Sequence, residues 1–168
     1  MRATLPSHAG FPFPRRHAAR IPWLLLGGYT VATFDMAFAI VFWTEQGASA
    51  MRVMQSIASW FLGTAAYSGG VATALLGAVL YGHLMWGVVA LYRALSRRLP
   101  VLLRRPVACG AAYGVLAYAA IFKVAVPLLA VHDPDSGRLD WTLACVAVYA
   151  LLVGIPSALF SRAAAGPD

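Results

Sequence analysis

Four apolar runs, each about as long as a bilayer is thick once coiled into a helix, dominate this sequence. They lie at about residues 23–43, 71–92, 107–129 and 141–160. An α-helix rises ~1.5 Å per residue, so about 20 apolar residues cross a hydrocarbon core ~30 Å thick. A water-soluble alternative fails on surface chemistry. Of 168 residues, 61% are apolar and 11% charged, whereas a soluble domain carries about a quarter of its residues as charges. With so few charges to cover its exterior, such a domain would be apolar over most of its surface. The expected fold is therefore all-α: an integral-membrane four-helix bundle forming one transmembrane domain over residues 21–161.

The formal net charge of +7 is concentrated at the ends of these runs. One cluster is Arg2, Arg15, Arg16 and Arg20; the other is Arg93, Arg97, Arg98, Arg104 and Arg105. Arginines beside spans resist translocation and meet anionic headgroups, so they are read as topology signals and lipid contacts rather than as a nucleic-acid surface. The two intervening loops hold one basic residue each, Arg52 and Arg138. This places both termini on the cytoplasmic side of a bacterial inner membrane. Residues 1–20, with three prolines and four arginines, are expected to be a disordered basic tail, and residues 162–168 a short second tail. The first span is too long for a signal-peptide core and contains an aspartate, which argues against cleavage. Cys109 and Cys145 fall near opposite faces, too far apart to form a disulfide.

Between the first two long runs, residues 49–62 follow a different pattern. Arg52, Gln55, Ser56 and Ser59 recur at helical spacing, with Met51, Met54, Ile57, Ala58 and Phe61 on the other side. This predicts an additional amphipathic helix in the outer headgroup plane, polar face to water and Trp60 as its anchor. It should break at Gly63 or at Ser68-Gly69-Gly70.

Small residues repeat every four positions as Ala66, Gly70, Ala74, Ala78 and Gly82. In lipid such a stripe lets two backbones approach closely. The second span is thus expected to be the hub, with Gly110 and Gly114 of the third as its partner and Gly28 and Ala32 as a shorter version on the first. A homodimer face would have the same pattern. Pro127 is expected to bend or end the third span.

Three ionisable residues fall inside spans: Asp35, His83 and Lys123. Each is costly against lipid and should face protein or water. Counting rises puts Asp35 about 3 Å and Lys123 about 7 Å to the outer side of the midplane, and His83 slightly to the inner side. Opposite charges at similar depth suggest an Asp35–Lys123 ion pair that locks the first and third spans. The functional version adds His83, whose imidazole titrates near neutrality and could pass a proton. Haem would need a second intramembrane histidine. His132-Asp133-Pro134-Asp135 reads as a solvated turn rather than a metal loop, and there is no phosphate-binding loop, nucleophile elbow or HExxH motif. No cofactor or metal is expected.

Phe34-Asp35, the Arg52-Val53-Met54-Gln55-Ser56-Ile57-Ala58 helix, Gly63, Gly69-Gly70, Gly77 and Pro127-Leu128 resemble small four-span bacterial inner-membrane protein families to which no activity is assigned. The resemblance covers about residues 25–130. It implies the same architecture and makes Asp35, the Arg52 helix and the double glycine the positions to test. The expected function is a non-enzymatic accessory or scaffold component. The alternative is a small transporter or proton/ion-conducting protein using Asp35, Lys123 and His83, with a lipid- or quinone-acting enzyme third. Expected partners are membrane lipids, anionic headgroups at the arginine clusters, and a second copy or a larger membrane complex.

Overall fold

A computed structural model describes residues 20–131 and 137–165. The expectations for the rest of the basic tail, for residues 132–136 and for the last three residues lie outside the described residues. Among the described residues the chain is helical with no strand. Helix α1 spans Arg20–Thr44, α2 Ala50–Leu62, α3 Gly70–Arg98, the single turn α4 Val101–Arg104, α5 Pro106–Leu129 and α6 Leu139–Ala165. Helices α1, α3, α5 and α6 are each long and apolar enough to cross a membrane. The all-α four-helix architecture is thus the one expected. Helix α3 is longer than expected and runs on through Arg97 and Arg98, whose charges complement the negative end of the helix dipole.

Helix α2 forms over the expected residues, and Ser49 caps its start by accepting the Arg52 amide at 3.2 Å. Its polar face is a correction to the sequence reading. Gln55 and Ser59 are buried and Ser56 is half-buried; of the four, Arg52 alone is exposed. The reason lies in the 3₁₀ turn that follows, Gly63–Ser68, bracketed by Gly63 (φ +60°) and Gly70 (φ +58°). That turn brings the Ala66 and Gly70 carbonyls within reach of side-chain donors. The Gln55 amide donates to the Gly70 carbonyl at 3.0 Å and to Thr73 Oγ1 at 3.2 Å, while Thr73 donates to the Ala66 carbonyl at 2.6 Å. Arg52 folds over the Tyr67 ring, 4.7 Å from its centroid. These polar residues therefore clamp a turn, because a buried carbonyl without a donor costs more than a hydrated one.

Close backbone approaches fix the bundle at Gly28, Gly77, Gly110 and Gly114, but the partners of Gly110 and Gly114 are not the expected ones. A Cβ on Gly77 would strike the Met54 carbonyl, and one on Gly28 would lie 2.7 Å from the Trp86 Cα. These are the α2–α3 and α1–α3 crossings. Gly110 and Gly114 face α6: a Cβ on Gly114 would meet the Tyr149 carbonyl, and one on Gly110 would lie 2.8 Å from the Gly154 carbonyl. The expected Ala66–Gly82 stripe is not the seam that receives them. It is broken at its start, where Ala66 belongs to the 3₁₀ turn and Gly70 opens α3. Its remaining members Ala74 and Gly82 are buried, Ala78 half so. Helix α3 still packs against α1, α2 and α6, and α5 packs chiefly on α6.

Two helices widen locally. Residues Ala119–Ala125 of α5 and Tyr149–Gly154 of α6 wind as π-helix. Each segment lies just before a proline, Pro127 or Pro156, which lacks an amide hydrogen and whose ring crowds the carbonyl four residues back.

Candidate functional site

These elements enclose a chamber of about 320 Å³. Its walls come from α1, α2, α5 and α6, with Tyr81 contributed by α3. Both π segments supply wall residues, Phe122 and Lys123 from α5 and Tyr149 from α6. Widened turns shift the register of the side chains that follow and recur at functional sites. Here they turn side chains of α5 and α6 onto one space.

Asp35 lies in the wall with 6% of its surface exposed. The Tyr81 hydroxyl donates to its Oδ2. Because that proton is committed, the Tyr149 hydroxyl, 3.3 Å from that of Tyr81, is the donor between the two rings. A chain of hydroxyls thus points at the carboxylate. Around it stand aromatic rings: Tyr118 against Phe122 and Tyr149 at 5.4 and 5.6 Å, and Phe38 stacked on Trp141 at 6.1 Å. Such a wall lowers the polarity around the buried Asp35 and strengthens the charge interactions of that group.

Asp35 and Lys123, named from sequence, line this same chamber, but the carboxylate takes its hydrogen bond from Tyr81. Lys123 is exposed on the other wall. His83 is elsewhere, exposed on α3, its Nδ1 2.8 Å from the Val79 carbonyl of its own helix. Arg52 and Ser56 also line the chamber, whereas Gln55 reaches across to Gly70 and Thr73 and the Ser59 hydroxyl donates to the Ser56 carbonyl of its own helix. Cys109 and Cys145 form no disulfide with one another, and Cys145 is in the chamber wall. Among the described residues no group of His, Cys, Asp and Glu is arranged to hold a metal ion.

Sequence reasoning missed Tyr81 and Tyr149, which look like ordinary apolar members of their spans. It also missed Gly154 and Pro156, although a glycine two residues before a proline inside an apolar run is a readable sign of a locally altered helix. At the end where α6 begins, Arg138 pairs with Asp140, its Nε donating to Oδ1 at 3.0 Å. Hydrogen bonding to that carboxylate pushes the exposed Arg138 guanidinium above its ordinary value. Comparisons of the chain with protein-family models, curated proteins and solved structures gave no match.

Proposed function

We propose that the chain is a non-enzymatic inner-membrane protein whose bundle holds one small guest molecule in the chamber beside Asp35. The observation that carries this reading is a buried carboxylate, met by one hydroxyl, in the wall of an aromatic space about 320 Å³ in volume. Known ligand sites are of that size, apolar with a few convergent polar groups. An acid inside a span marks a functional position because lipid would otherwise select against it. The accessory role expected from sequence becomes, on this reading, the capture or presentation of that guest. The arginine belt at the C-terminal end of α3 supports cytoplasmic termini, so the chamber mouth near Trp43 and Arg52 opens toward the outer face.

Native mass spectrometry of the detergent-extracted protein tests the reading. A retained small molecule that is lost in Asp35→Asn and in the chamber-filling Ala39→Trp is expected; retention unchanged in both variants rejects it. A second reading, proton or ion conduction, draws on the Tyr149–Tyr81–Asp35 hydroxyl chain. Liposome flux abolished by both Asp35→Asn and Lys123→Met supports it, and absence of flux from the unmodified protein removes it.

A further inference from the structure

A second cavity, of about 250 Å³, adjoins the chamber and shares Trp60 and Val126 with it. It runs along the flank between α3 and α5 beneath the end of α2, lined by Leu80, Leu84, Ile121, Ala125 and Leu129. Leu129 and Phe61 at its edge are 81% and 63% exposed, so the groove opens sideways where acyl chains would be. No ionisable residue lines it, whereas the chamber holds Arg52, Lys123 and Asp35. A compartment with charged groups in its aromatic wall, joined end to side with an apolar groove, has the polarity of an amphiphile.

The donors at the junction indicate which kind. Trp60, whose ring stands against Phe122 at 6.0 Å, has its indole Nε1 buried with no acceptor among the described residues. Arg52, about two turns earlier on α2, holds its guanidinium carbon 4.7 Å from the Tyr67 ring centroid and has no carboxylate partner among the described residues. A guanidinium beside an aromatic ring still has several N–H donors to offer an oxyanion. A buried N–H without an acceptor asks for oxygen as well. Asp35 opposes an anion in the same space, where Arg52 and Lys123 are the basic side chains among the described lining residues. Its carboxylate, in turn, favours a head that also carries a donor.

Resting on the chamber reading above, we infer that the guest is an oxyanion-headed, acyl-chain amphiphile. Its carboxylate or phosphate sits between Arg52 and the Trp60 N–H, and its chain lies in the groove between α3 and α5. The head chemistry is common to a free fatty acid and a lysophospholipid.

The test is photo-crosslinking of the full chain in phosphatidylcholine nanodiscs, with diazirine-tagged palmitate, lysophosphatidylethanolamine and neutral monoacylglycerol. Expected is label on peptides holding Leu80–Leu84 or Ile121–Leu129, at least several-fold stronger for an anionic probe than for the neutral one. Loss of one charge-assisted contact is worth about tenfold, so Arg52→Gln should lower capture by about that factor. Trp60→Phe, which keeps the ring and removes the N–H, should lower it several-fold, with both variants eluting as the parent on gel filtration. Capture of palmitate alone identifies a free acid as the source; capture of the lysolipid identifies a phospholipid, and either supports the inference. Equal labelling of the groove by the neutral probe, unaffected by Arg52→Gln, overturns the inference while leaving the chamber reading intact. Label confined to the lipid-facing Leu116 and Leu151 for all three probes overturns both.

Discussion

A carboxyl group inside an apolar helix has to be met by protein, and Tyr81 meets Asp35. Removing one partner of a buried hydrogen bond costs the desolvation of the group left behind. Tyr81→Phe is therefore expected to lower stability in detergent by about 1–3 kcal/mol, and Tyr149→Phe, which removes the outer member of the chain, by about 0.5–1.5 kcal/mol. Melting curves of the two variants in one detergent check the order; equal curves would show that the hydroxyl chain is not polarised toward Asp35. That Asp35 faces protein was legible from its position in an apolar run. Its partner was not. Charge and depth pointed to Lys123, which reaches the same space from another wall, and nothing local marks a tyrosine of α3 as the donor. His83 shows the same limit from the other side, exposed and bonded along its own helix. In a membrane span both the lipid-facing and the protein-facing surfaces are apolar, so the periodicity that identifies a buried face in water loses its contrast.

At the scale of elements, small residues are readable as contact points but not as pairs. Gly110 and Gly114 pack on α6 because α6 has its own glycine, Gly154, at matching height, with the π turn at Tyr149 bringing a carbonyl close. Gly114→Ala and Gly154→Ala are expected to destabilise the bundle by about 1–3 kcal/mol, the usual cost of forcing extra carbon into a packed seam. Gly82→Ala should be nearly neutral, since its Cβ would find only the Tyr29 ring at 3.5 Å. Melting temperatures of the three variants decide the matter: a Gly82→Ala loss as large as that of Gly114→Ala would return the main seam to α3. The amphipathic helix was legible in the same partial way. Its hydrophobic period specified a helix over residues 49–62, but the burial of Gln55 follows from the six-residue turn that folds the start of α3 back, so that the carbonyls of Ala66 and Gly70 meet Thr73 and Gln55. Those carbonyls exist only once the turn has formed.

Across the whole molecule, arginines stand beside the C-terminal end of α3 and the start of α5, the placement on which the proposed cytoplasmic termini rest. A reporter active only outside the cytoplasm is expected to be active when fused after Gly47 and inactive when fused after Leu99. The reverse pattern would invert the topology and place the chamber mouth on the cytoplasmic side. The number of long apolar helices, their approximate positions and the helical class were all determined by the sequence alone. Each depends on a property of one segment, its length of apolar side chain measured against a fixed bilayer thickness. Which helices touch, which polar groups meet and where space remains were decided only by the tertiary structure. Those outcomes depend on the relative rotation of helices whose surfaces are apolar all round, and on π turns that move side chains out of the register a straight helix would give them.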